Sequence, residues 1–263
     1  MHASALRDSP HVSAVELLLL VLAGLGGGLA GSIAGLASLV TYPALLATGL
    51  GAVDANVTNT VALVFSSAGS TLGSRPELRG QRRAVERLAV AAVAGGAVGA
   101  GLLLLTSPDT FEKLAPWLIG AASLAILLRQ WIQPAAGADE PQRLAGPALL
   151  GGVFLVGVYG GYFGAAAGVV LLALLLAATT DTLARTNALK NVVLGIANAT
   201  AAIGFCLLAD VDWTAVAPLA VGLLAGARLG PVIVRHSDAG VLRVLIAIAG
   251  LGLAVKLGLD AYG

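Results

Sequence analysis

The chain has 263 residues, 58% of them hydrophobic and 11% charged, with a mean hydropathy of +0.93. Soluble domains carry about 25% charged residues, so these figures exclude a soluble globular enzyme and a disordered chain alike. A net charge of +1 leaves no polybasic surface for nucleic acid, and a single cysteine, Cys206, excludes an internal disulfide or a cysteine-based metal cluster.

Residues 1–14 read as a polar N-terminal tail without the basic start of a signal peptide, so the apolar run after it is expected to be a mature membrane helix. Apolar runs then recur along the chain. The first half holds segments at about 15–36, 38–50, 56–74, 88–106 and 114–132. A polar stretch at 133–145, with Pro134 and Pro141, reads as a linker. The second half holds segments at about 146–166, 168–179, 187–208, 214–234 and 242–260. The expected class is an all-α polytopic membrane protein. The second segment of each half spans roughly 18–20 Å as a helix, too short for a hydrocarbon core about 30 Å thick. A short helix beside a glycine-rich break is the pattern of a discontinuous transporter helix.

The halves, 15–132 and 146–263, resemble each other. The small-residue run from Gly31 to Ser38 matches that from Gly161 to Gly168, Thr58-Asn59 matches Thr186-Asn187, and Gly95 and Gly99 match Gly222 and Gly226. Matches in the same order at nearly constant offset predict an internal repeat. Charge then predicts orientation. If each half crosses five times, twelve of the 15 Lys and Arg lie on one side, with Arg7, Lys113 and Lys256 on the other. Such a bias marks the cytoplasmic side. The expected arrangement is therefore two inverted repeats of about five segments each, with the short helices near their interface and both termini outside.

Candidate functional residues cluster after the short segments. Asn56, Thr58, Asn59 and Thr60 in one half, with Thr186, Asn187, Lys190 and Asn191 in the other, stand at the expected starts of the following segments. Helix starts carry partial positive charge and exposed N–H groups, and these side chains add donors suited to an anion. Taken alone, each Thr or Asn fits a helix cap better than a binding site, and only their pairing across the halves favours a shared site. Lys190 has no acid one turn away, so it reads either as a snorkelling lysine or as a substrate-facing ammonium. Tyr159 and Tyr162 either line the path or pack.

No Asp or Glu falls centrally within a segment and no Walker motif occurs, which argues against an acid-switched proton pump and against ATP drive. His2, His11 and His236 are scattered, so no metal site and no cofactor is expected. A buried nucleophile with its base is likewise missing, which argues against an enzyme.

The glycine-rich broken first helix, its recurrence in the second half, the Thr-Asn segment starts and the Val211-Asp212-Trp213 turn together resemble the TauE/SafE family of sulfite and organosulfonate exporters. The resemblance covers about residues 17–258, with Leu36-Ala37-Ser38…Pro43 and Ala165-Ala166-Ala167-Gly168 as degenerate versions of the family pattern. It implies a multi-pass permease of the bacterial inner membrane that moves sulfite, sulfoacetate or a related small anion outward. The expected partners are that anion and the lipid bilayer, with a homo-oligomer left open. A carrier for another anion, solute or metal ion, or an assembly subunit, is the alternative reading.

Overall fold

The computed structural model describes residues 13–132, 146–234 and 240–262. Its elements are α1 (Ala14–Ala34), α2 (Ser38–Ala47), α3 (Ala52–Gly73), α4 (Arg75–Leu78), α5 (Arg82–Leu105), α6 (Pro108–Ile132), α7 (Gly146–Tyr162), α8 (Ala167–Ala178), α9 (Leu183–Leu208), α10 (Trp213–Val234) and α11 (Gly240–Tyr262). No strand occurs among the described residues. Ten of these helices answer to the expected segments, and α4 is a single turn within the arginine-rich loop. The expected linker at 133–145 and residues 1–12 of the tail lie outside the described residues.

By length and composition, α1, α5, α9 and α10 can each cross a membrane, whereas α2, α7 and α8 are shorter apolar helices. Their outward side chains are apolar: Leu19, Leu22, Val90, Leu105, Leu155, Ile203 and Leu207 are all exposed. In water that surface would be a liability, and in lipid it is the solvent-facing side.

Several helices begin earlier than the apolar runs predict. Helix α3 starts at Ala52 and α9 at Leu183, where Thr182 accepts a hydrogen bond from the Arg185 backbone N–H as N-cap. Helix α5 takes in Arg82, Arg83 and Arg87 ahead of its apolar stretch. Polar residues that leave the hydrocarbon can stay helical, so hydropathy underestimates helix length at the membrane surface.

Small residues set the packing. Helix α1 lies parallel to α10, with Gly24 against Gly222 and Gly28 against Leu223 and Ala227. Helix α3 also runs parallel to α10, with Gly69 against Leu224 and Gly73 against Arg228. On the other side α7 and α9 run parallel to α5: Gly95 meets Gly157, Gly99 meets Tyr162, Gly96 meets Ala197 and Gly204 meets Ala100. The two groups of helices are opposed. At one end of the α3–α9 pair the Asp212 N–H donates to Thr58 Oγ1, and at the other Gln81 Nε2 donates to the Arg185 carbonyl. The buried core divides accordingly. One cluster is built mainly from α1, α2, α3, α6 and α10, the other from α5, α7, α8 and α9.

Each group carries a helical hairpin. After Gly35 the chain reverses and α2 runs back along α1, with Ala37 against Gly31 and Thr41 against Gly27. After Tyr162 it reverses again and α8 runs back along α7, with Ala167 near Gly160 and Leu174 against Gly152. The two reversals touch. A Cβ on Gly168 would lie 2.5 Å from Gly35 Cα, so only bare backbone fits there.

The glycine seams generate a direct expectation. A Cβ at Gly28 would sit 2.5 Å from the Leu223 carbonyl oxygen, while one at Gly101 would meet nothing. Overpacking of this kind costs about 1–3 kcal/mol. Gly28→Ala is expected to lower the unfolding midpoint in detergent by several degrees, with Gly101→Ala unchanged, as measured by thermal denaturation.

Candidate functional site

A helix that ends inside a packed apolar interior leaves its last carbonyls short of intrahelical partners, and side chains must supply them. Here α1 stops at Gly35, which adopts φ 78°, and α7 gives way to Gly164 and Ala166 at φ 75° and 56°. Side chains from α3 and α9 reach the exposed carbonyls. Asn187 Nδ2 and Asn191 Nδ2 donate to the Ser32 carbonyl at 2.8 and 3.3 Å, and Lys190 Nζ donates to the Gly31 carbonyl at 3.2 Å. Across the interface Asn56 Nδ2 donates to the Tyr162 carbonyl at 2.9 Å.

Lys190 is 0% exposed, so its ammonium does not snorkel to the surface but turns inward onto the end of α1. A cation there complements the negative end of the helix dipole. By contrast, Arg228 and Lys256 are exposed.

The other expected residues are also placed within the packed interior. Asn56, Thr58, Asn59, Thr60, Thr186, Asn187 and Asn191 are all buried. None caps its helix: the N-caps are Gly51 and Thr182, so these side chains sit from the second turn onward of α3 or in the first turns of α9. Asn59 Oδ1 accepts from Thr41 Oγ1 at 2.5 Å, tying α3 to α2. Thr58 Oγ1 accepts the Asp212 N–H, and Thr60 Oγ1 donates to the Asn56 carbonyl within its own helix. Four polar atoms in this set are buried without a partner: Asn56 Oδ1, Asn59 Nδ2, Thr186 Oγ1 and Asn187 Oδ1. Burying such groups unpaired is costly, and sites where it occurs call for an explanation. The tyrosines brace the second reversal. Tyr159 donates its hydroxyl to the Ala165 carbonyl at 2.7 Å, and the Tyr162 ring packs on Phe111 at 5.9 Å.

Where the two reversals meet α3 and α9 there is a cavity of about 40 Å³, room for about three waters. Gly31, Gly35 and Gly164 bring backbone to its wall, Ser66, Ser67 and Ser70 come from α3, and Asn191 and Asn198 from α9. Of the ten residues expected from sequence, only Asn191 lines it. Ser38, Ser66, Ser67, Ser70 and Asn198 were not singled out, although a signal for them exists. Ser66 and Ser70 stand four apart, and Asn187, Asn191 and Asn198 repeat along one helical face within apolar segments. The lining carries hydroxyls and amides and no carboxylate, a donor set suited to a small anion rather than a metal cation.

Paired helix breaks, a buried cation and a polar cavity inside an apolar helical bundle define a multi-pass membrane transporter. The profile of the Sulfite exporter TauE/SafE family matches residues 20–257, and the chain belongs to that family. Among similar proteins, the Probable membrane transporter protein YfcA of Escherichia coli strain K12 is 28% identical, over 96% of this chain and 93% of its own length. The Probable membrane transporter protein ORF9 of a Sinorhizobium species is also 28% identical, over 93% of each chain. A Probable membrane transporter protein of Haemophilus influenzae is 25% identical, over 93% of this chain and 95% of its own length. No solved structure matches the chain.

If the cavity is reached by water, Ser67→Cys in a Cys206→Ala background is expected to react with a small hydrophilic thiol reagent. Ala62→Cys, buried in the apolar core, is expected to stay unmodified, as read by mass shift.

Proposed function

We propose that the protein is a permease of the bacterial inner membrane that exports a small sulfur-containing anion, sulfite or an organosulfonate such as sulfoacetate. The observation that carries this reading is the buried Lys190 ammonium, set among asparagine and threonine side chains at the meeting point of two broken helices. A cation at membrane depth usually serves a charged substrate. The family and the transporter relatives support transport, and the family description supports a sulfur oxyanion.

In this reading the two halves are inverted repeats, and the opposed groups α1/α3/α10 and α5/α7/α9, each with its own hairpin, support that symmetry. The exposed arginines 75, 79, 82, 83 and 87 face the cytoplasm by the charge rule. Asn59 Nδ2 and Thr186 Oγ1, buried and unpaired, offer hydrogen bonds to the passing anion, while Asn56 and Asn187, whose unpaired atoms are acceptor oxygens, join Thr58, Thr60, Asn191, Tyr159 and Tyr162 in holding the surrounding backbone. An inside-negative potential drives each exported charge with about 2.3 kcal/mol per 100 mV. No further energy source is needed.

The test is efflux from liposomes loaded with sulfite or sulfoacetate under an imposed inside-negative potential. Saturable, potential-dependent efflux is expected. Lys190→Met is expected to slow it by about tenfold or more per folded molecule, with the folded amount measured beside it by size-exclusion chromatography. Normal efflux by Lys190→Met would remove the cation from the mechanism. Asn59→Ala and Asn187→Ala are each expected to lower the rate by several fold.

A further inference from the structure

One end of the helix bundle is strongly basic. Five arginines lie between residues 75 and 87, against only Glu77 and Glu86. The opposite end, at the starts of α3 and α6 and the turn into α10, carries exposed Asp54, Asp109, Glu112 and Asp210 instead. Ion pairs take up part of the basic charge: Arg82 Nε pairs with Glu86 at 2.7 Å, and Arg185 Nε with Asp181 at 3.0 Å. Arg83 and Arg87 are exposed, and among the described residues neither has an acidic partner.

These two arginines stand four apart on α5, so they share a face. Further along that face Val90, Ala94, Val98 and Leu105 are exposed, an apolar row of the kind that lipid covers. Arg87 lies about 5 Å and Arg83 about 10 Å beyond Val90 along the helix axis, which puts both guanidinium groups in the zone of the lipid headgroups. The Arg87 guanidinium also lies over Gly146, where a Cβ would run into it. The charges therefore sit where α5 meets the start of α7, and the exposed Ala148, Gly151 and Leu155 of α7 continue the apolar surface.

Guanidinium groups meet phosphate oxygens with paired N–H donors. A soluble phosphate would use the charges alone. A phospholipid uses both features, its headgroup on the arginines and its chains on the apolar row, and a basic cluster at this level of a helix junction is the form that anionic headgroups recognise.

We propose that the junction of α5 with the start of α7 is a binding site for an anionic phospholipid. Arg83 and Arg87 hold its phosphate, and an acyl chain lies along Val90, Ala94 and Val98. The bound lipid braces α5 against α7, whatever solute the protein moves.

The experiment measures thermal unfolding of the delipidated full-length protein in uncharged detergent, with phosphatidylglycerol, with phosphatidylcholine of the same chains, or with inorganic phosphate. Phosphatidylglycerol at about ten times its dissociation constant is expected to raise the midpoint by about 3 °C, and the other two are expected to leave it unmoved. Arg83→Gln/Arg87→Gln is expected to lose the shift, whereas Arg75→Gln/Arg79→Gln, which removes the same charge, is expected to keep it. Native mass spectrometry of the wild type gives a readout that does not depend on how the variants fold: from an equimolar mixture it is expected to retain phosphatidylglycerol over phosphatidylcholine. Equal retention of the two lipids, an equal loss of shift in both double variants, or a shift with inorganic phosphate matching that of the lipid would each overturn the proposal. So would a wild type that shows no shift until Asp139→Asn/Glu140→Gln removes the acids of the linker, since the arginines would then belong to the linker.

Discussion

A helix that ends inside a packed interior exposes carbonyls that only protein can satisfy, and this chain ends two helices in that way. The reversals after Gly35 and Tyr162 come so close that Gly35 and Gly168 exclude any side chain between them. The Gly35 N–H still donates to the Gly31 carbonyl, but the Ser32 and Tyr162 carbonyls need donors from side chains. The donors must come from elsewhere, and they come from α3 and α9, the antiparallel pair beside the reversals. The concentration of asparagine in these two helices follows from that requirement. So does the location of the cavity, which is the space that remains when two backbone turns meet and two polar helices flank them.

The opposed groups of helices do not make the site symmetric. In the register that pairs Thr58 with Thr186, the position matching Lys190 is Ala62, which is fully buried in the apolar core. A single cation therefore serves one hairpin, and the other is held by a neutral amide, Asn56. A second buried ammonium in the same small region would face the first across a low-dielectric interior, where like charges repel strongly.

Much of the fold was legible because the bilayer imposes a simple rule on sequence. The ten apolar segments, two short ones among them, correspond to helices, and the glycine clusters do mark the reversals. Hydropathy failed at helix starts: Thr182 and the arginines of α5 are helical or capping although they are polar, and an apolar window cannot see them. That error shifted the functional residues to helix ends, where capping was a natural explanation for them. The bonds that Asn56, Asn187, Lys190 and Asn191 donate to carbonyls of another helix join residues more than a hundred apart in the chain. The serines of α3 were passed over for a related reason. Single serines are common in membrane helices as packing residues, and Ser66, Ser67 and Ser70 acquire meaning only once Asn191 and Asn198 are seen on the facing helix.

The exchange of helices between the halves has a bearing on how the chain is made. Helix α10, far along the chain, is the partner of α1 and α3, and α5 waits in the same way for α7 and α9. The glycine faces at Gly24, Gly28, Gly69 and Gly73 thus enter the membrane long before the helix that covers them exists. Neither half completes its helix packing without the other. A nascent chain halted near its middle presents uncovered small-residue grooves and unmet carbonyls to its surroundings. These are the features by which membrane quality control can tell an unfinished protein from a complete one.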